Sequence, residues 1–123
     1  VNRWQSMVRD FHEKFECTVG QTPAMRDEVL RMDLIDEEAD ETVGACIDRD
    51  LPKAVDGCID LIYVCLGALV AWGVDAEPLF NEVHRANMAK AGGGARADGK
   101  ILKPEGWTPP DIEGELRRQG WNE

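Results

Sequence analysis

Asp56-Gly57-Cys58-Ile59-Asp60-Leu61-Ile62-Tyr63-Val64-Cys65-Leu66-Gly67-Ala68-Leu69-Val70-Ala71-Trp72 holds the most apolar run of the chain, and two carboxylates stand at its start. From Leu61 to Trp72 a helix would be apolar around nearly its whole circumference, which demands neighbours on several sides. The run is too short to span a bilayer, which takes about 20 residues. It reads instead as a buried bundle helix. The other short helices that a 123-residue chain can form do not easily supply that much cover, so the bundle is expected to be completed by homo-oligomerisation, as a dimer or a tetramer.

Working outward, Asp50 can cap this helix, Pro52 is tolerated in its first turn and Gly73 stops it. Upstream, a second helix is predicted from Ala24 to about Asp48, with Met25, Val29, Met32, Ile35, Ala39 and Val43 as its inner stripe. Trp4, Val8, Phe11 and Phe15 mark an amphipathic first helix ending near Glu16, with Trp4 continuing its packing stripe; Gly20 and Pro23 lie in the break that follows. Downstream, Asp75 can cap a fourth helix through Leu79, Phe80, Val83 and Met88 to Lys90, and Glu113 to Gln119 form a short terminal one. The fold class is all-α, a four- to five-helix bundle. Residues 1–90 make up the helical bundle that carries the candidate site. Residues 91–123 form a C-terminal arm on the same single domain; its Gly92-Gly93-Gly94 suits a flexible linker, and its Lys and Trp residues suit an ordered arm that folds back.

The second helix carries Glu37-Glu38-Ala39-Asp40-Glu41. Glu38 and Glu41 share a face with Glu37 beside them, and Asp56 and Asp60 are one turn apart on the third helix. Antiparallel packing would make these carboxylates converge. Acidic residues on a helix are usually a solvated face. Asp60, however, stands between Ile59 and Leu61, where an unpaired carboxylate costs on the order of several kcal/mol, and the nearest basic residue along the helix is Lys53, nearly two turns away. A divalent cation is the economical partner, and oxygen ligands suit Mg²⁺ or Mn²⁺. A di-iron bundle would need two Glu-x-x-His pairs. Arg9 and Asn81 stand three positions before His12 and His84, which excludes it.

A net charge of -10 argues against binding duplex nucleic acid or an anionic membrane, so an anionic ligand must arrive with cations. Cys17, Cys46, Cys58 and Cys65 include no Cys-x-x-Cys and are expected to be reduced, mostly buried thiols. Val1-Asn2-Arg3-Trp4-Gln5 lacks the apolar core of a signal peptide, so the expected location is the cytoplasm.

Phe11-His12-Glu13-Lys14-Phe15, Leu34-Ile35-Asp36-Glu37-Glu38-Ala39-Asp40-Glu41, Asp60-Leu61-Ile62-Tyr63-Val64, Gly73-Val74-Asp75, Val83-His84-Arg85-Ala86-Asn87-Met88-Ala89-Lys90 and the tail from Gly99 to Asp111 stand in a specific order. In that order the chain resembles the all-α nucleoside triphosphate pyrophosphohydrolases, the MazG-like and phosphoribosyl-ATP pyrophosphohydrolase-like superfamily, and its size and tail resemble phage-type members. The resemblance implies that Glu37, Glu38, Glu41 and Asp60 are metal ligands, with Glu37 or Glu38 as general base. The family's second motif is Glu-x-x-Asp, and here its Glu position is Gly57; Asp56 is the expected substitute. Asn87 and Lys90 match the family's Asn-x-x-Lys, which implies contacts to phosphate or its metals. Lys103, with Lys100 as a further candidate, would close over phosphates, and His12 and Trp107 would stack on or edge a base. The implied reaction is metal-dependent hydrolysis of a nucleoside or deoxynucleoside triphosphate to the monophosphate and pyrophosphate, with a purine such as dGTP favoured and dUTP or dCTP as the alternative. The rival readings are a helical module that binds a divalent ion without turnover, and an interaction protein whose acidic face meets a basic partner.

Overall fold

The computed structural model describes residues 2–123, and its regular structure is entirely helical: α1 (Arg3–Lys14), α2 (Glu28–Ile47), α3 (Leu51–Ala71), α4 (Ala76–Met88) and α5 (Ile112–Arg118). Side-chain caps set most of the starts. Asn2, Asp50, Asp75 and Asp111 accept from the backbone amides of Gln5, Lys53, Glu77 and Gly114, which satisfies donors that a helix leaves unpaired.

α2 starts four residues later than the predicted Ala24, for a reason that lies in α3. The segment between α1 and α2 crosses the C-terminal end of α3 and uses its amides there: Gly20 N donates to Val70 O at 2.9 Å and Ala24 N to Trp72 O at 3.0 Å. Trp72 Nε1 returns a bond to Arg26 O at 2.8 Å. Carbonyls at the end of a helix need such partners, and the strap supplies them at the expense of another helical turn. Gly73 makes the crossing possible. It turns the chain at φ +69°, and a Cβ there would lie 2.8 Å from Thr22 N.

α2 and α3 form the main antiparallel pair, α1 lies on α3, and α4 rests on α5 with at most marginal contact to the α2–α3 pair. Buried Gln5 ties α1 to the α3–α4 turn, donating from Nε2 to Val74 O at 2.6 Å and accepting at Oε1 from Ala76 N at 2.8 Å. α1 therefore buries Gln5, Val8 and His12. Trp4, Phe11 and Phe15, expected inside, are exposed, Trp4 by 57%. Trp4 instead lines an apolar groove with Met7, Ile59, Ile62, Tyr63 and Leu66.

The inner face of α2 also differs from the predicted stripe. Of that stripe Ile35 and Ala39 are partly covered, but Met25, Val29, Met32 and Val43 are exposed, while Arg31 and Ala45 are buried and Leu34, Glu38 and Thr42 are partly covered. Close packing decides this. A Cβ built at Gly57 of α3 would strike Thr42 Oγ1 and lie 3.1 Å from Thr42 Cα, and one at Gly67 would lie 2.9 Å from Arg31 Nη1. Small residues on α3 bring the two helices together along the face of α2 that carries Arg31, Glu38 and Thr42. The outer apolar residues of α3, including Val55, Ile59 and Ile62, are left uncovered by the chain itself. The thiols follow them: Cys46, Cys58 and Cys65 are exposed and Cys17 is half-buried, contrary to expectation. At 21 residues α3 is long and apolar enough to cross a membrane, unlike the shorter run read from the sequence. It nevertheless carries Lys53, Asp56 and Asp60 and packs on α1 and α2, as a bundle helix does.

The arm is ordered by its own bonds. Ala95 and Ile101 form an antiparallel bridge, Arg96 N donates to Lys100 O at 2.7 Å, and Leu102 N donates to Gly94 O at 2.9 Å. The triple glycine thus opens a hairpin. α5 is then held to the start of α4, where the Gln119 amide bonds both the N–H and the C=O of Asp75.

Candidate active site

The two close approaches, Thr42 on Gly57 and Arg31 on Gly67, fix an antiparallel register for α2 and α3. Moving two turns along each helix, from Arg31 and back from Gly67, brings Glu38 level with Asp60. Glu38 is partly buried, and its Oε2 is enclosed without a hydrogen-bond partner. Desolvation pushes the Glu38 carboxyl above the ordinary glutamate range, and the charges of Glu41, Asp60, Glu37 and Asp56 push it further, in that order. All five acids singled out in the sequence therefore share one electrostatic neighbourhood.

The donor set fits a divalent cation: oxygen ligands only, mutual repulsion, and an enclosed carboxylate oxygen with nothing to accept from. Among the described residues no group of three His, Cys, Asp or Glu side chains is already drawn together tightly enough to hold an ion. Converging carboxylates without a counter-charge repel one another, which favours an open arrangement. Beside them lies a cavity of about 450 Å³ whose charged lining is Glu41, Asp48, Lys53 and Asp56, with small Gly44, Ala45 and Gly57 forming its floor. At the Gly57 position the space for a longer acid is taken by Thr42, whose Oγ1 also donates to Glu38 O at 2.6 Å. The nearest carboxylate in the motif is that of Asp56, on the cavity wall.

A second group assembles on α4 and the arm. Trp107 Nε1 donates to Ala86 O at 2.7 Å, and the ammonium groups of Lys90 and Lys103 lie 5.3 and 5.0 Å from the Trp107 ring centre. Two cations share one aromatic ring, and its anchor, Ala86, adjoins Asn87 in sequence. Among the described residues neither lysine is paired with a carboxylate. This group is carried by α4 and the arm, and α4 has at most marginal contact with the α2–α3 pair.

His12 does not belong to either group. It is 2% exposed, its Nδ1 lies 2.7 Å from Thr18 O, and its Nε2 lies 3.4 Å from Arg31 Nη1. A carbonyl needs a donor and a guanidinium needs an acceptor, so the ring carries its proton on Nδ1. Packing and two hydrogen bonds thus occupy the histidine expected to edge a base. Sequence reading missed its partner: Arg31 is 4% exposed, and its position seven residues before Glu38, on the same helical face, is the signal that could have found it. Lys53 was noted only as too distant to neutralise Asp60, and the fold places it on the wall of the cavity.

The sequence pattern of the phosphoribosyl-ATP pyrophosphohydrolase family matches residues 8–87, from the middle of α1 to nearly the end of α4, and takes in every acidic residue of the site. No curated protein matches the chain significantly.

Proposed function

From the premise that the chain belongs to the phosphoribosyl-ATP pyrophosphohydrolase family, and is thereby a hydrolase of phosphoric anhydrides in nucleotide-type substrates, we propose that it cleaves a nucleoside or deoxynucleoside triphosphate to the monophosphate and pyrophosphate. A purine deoxynucleotide such as dGTP is the favoured substrate, by likeness to phage-type members, with dUTP or dCTP as the alternative. The observation that carries this reading is the enclosed, partnerless Glu38 oxygen amid Glu37, Glu41, Asp56 and Asp60.

The family depends on divalent metals, and Glu38, Glu41, Asp60 and Asp56 are the residues proposed to hold Mg²⁺ or Mn²⁺ here. When bound, these ions neutralise the triphosphate and polarise the reacting oxygens. Exposed Glu37, on the same turn as Glu38, takes the proton of the water that attacks the α-phosphorus. Lys90 and Lys103 offer positive charge to phosphate oxygens, Asn87 offers amide hydrogen bonds, and Trp107 keeps both ammonium groups in place.

We place these two groups in contact through a homo-oligomer, a dimer or a dimer of dimers, in which α4 and the arm of one copy meet the acidic face of another. The reading is supported by the separation of α4 from the α2–α3 pair and by the uncovered apolar residues of α1, α2 and α3. Residues 1–90 and 91–123 act as one domain in it. Duplex nucleic acid and membrane are not among the proposed partners, given the charge of -10, and the proposed location is the cytoplasm, where nucleoside triphosphates are abundant.

The test is turnover of all eight common ribo- and deoxynucleoside triphosphates with Mg²⁺ or Mn²⁺, scoring pyrophosphate against orthophosphate. Pyrophosphate release that EDTA abolishes supports the proposal. Metal-raised melting without cleavage of any triphosphate would leave a non-catalytic metal-binding module in its place.

A further inference from the structure

The cavity beside the acidic site has one feature that the metal reading does not use. Among the charged residues that line it, Glu41, Asp48 and Asp56 are acids and Lys53 is the one base. Lys53 lies in the first turn of α3, where its amide is taken by the Asp50 cap, and its ammonium has no hydrogen-bond or ion-pair partner among the described residues. It stands three residues before Asp56, so the two side chains are neighbours on one helical face, about 5–6 Å apart at Cβ. A lysine stem then lets the charged end reach into the cavity beyond the carboxylates.

We infer that Lys53 is a phosphate-contacting residue of this site, binding the pyrophosphate end of a polyphosphate substrate in the cavity between the C-terminal part of α2 and the start of α3. The inference rests on the proposed pyrophosphohydrolase reading. The volume of the cavity and the charge of its lining support it. The volume of about 450 Å³ falls in the range of small-ligand sites. The acids on its wall would repel a polyphosphate arriving without cations, and they leave the outer phosphate oxygens to be matched by a mobile positive group. Lys90 and Lys103 are not among the residues that line this cavity.

The experiment is direct binding of inorganic pyrophosphate, and separately of a nucleoside monophosphate, in the presence of Mn²⁺, to the full chain and to its K53Q and K53R variants. Pyrophosphate binding is expected to weaken at least tenfold in K53Q and to stay within threefold in K53R, while monophosphate binding and Mn²⁺ affinity change less than twofold. Pyrophosphate binding within twofold of the parent in K53Q overturns the inference, and so does an equal loss for pyrophosphate and monophosphate. Circular dichroism of K53Q confirms that the variant is folded, and K53R provides the conservative rescue. A parent protein that binds Mn²⁺-pyrophosphate through Lys53 but cleaves no triphosphate would remove the hydrolase reading and leave the Lys53 site standing.

Discussion

Replacing Gly57 by Ala tests whether the close crossing of α2 and α3 sets the spacing of the acidic residues. Alanine is favoured over glycine inside a helix by about 1 kcal/mol, so a position with room should be stabilised. Gly57 has no room: the new methyl would meet Thr42 Oγ1 and lie 3.1 Å from Thr42 Cα and Cβ. Overpacking of this kind costs about 1–3 kcal/mol, which leaves G57A neutral to about 2 kcal/mol less stable. Truncating the obstacle should return much of that loss. In the T42A background the hydroxyl is gone, and the same Gly57→Ala change is expected to be about 1–2 kcal/mol more favourable than in the parent. Urea unfolding of the four proteins in EDTA, followed by circular dichroism and compared at constant slope, gives this coupling energy. Mn²⁺ titration of the same set reads the site, because a methyl that pries the helices apart at Thr42 also separates Glu41 from Asp56. Its affinity should fall in G57A and recover in the double variant. A coupling energy below about 0.3 kcal/mol, with G57A stabilised in both backgrounds, would refute the reasoning.

Asp60→Asn should lower turnover on the order of 100-fold while leaving the metal-free protein as stable or more so, since it removes one of several mutually repelling charges; parallel kinetics and EDTA melts check it. Glu38 carries a pH signature. Its carboxyl titrates above the unfolded value, so the folded state holds this proton more tightly, and metal-free stability should fall as pH rises from the ordinary glutamate range through the raised one. The trend should vanish in E38Q and reverse with saturating Mg²⁺, as unfolding midpoints across that pH range will report. Replacing His12 by Ala orphans Arg31 Nη1 and the Thr18 carbonyl and should cost about 2–4 kcal/mol without changing KM in the surviving folded fraction; a raised KM at unchanged stability would return His12 to the substrate site. Trp107→Phe loses the bond to Ala86 O, worth about 1 kcal/mol, but keeps a ring for Lys90 and Lys103, so its substrate affinity should lie between those of the parent and W107A.

The order of amino acids was enough to establish four helices and to point to the short fifth, because their signals are local. Asp50 with Pro52, Asp75 with Pro78 and Gly73 act within a turn or two of where they stand. The acidic positions were equally legible, since Glu38 and Glu41 must share a face of any helix and Asp56 and Asp60 another. Contacts between helices lie outside that local code. The apolar stripe of α2 was assigned to the inside on periodicity, yet Gly57 and Gly67 draw α3 onto a face rotated from it by about 100°, which keeps Ile35 and Ala39 partly covered but buries Arg31 and half-buries Glu38. His12 kept the appearance of a free base-binding ring until Thr18 and Arg31 were seen on its two nitrogens. The start of α2 moved to Glu28 because distant carbonyls of α3 claimed the amides of Gly20 and Ala24. Hydrophobic period and capping are properties of neighbouring residues, whereas the choice of buried face depends on which surfaces of two helices can approach most closely, and only the packed chain decides that.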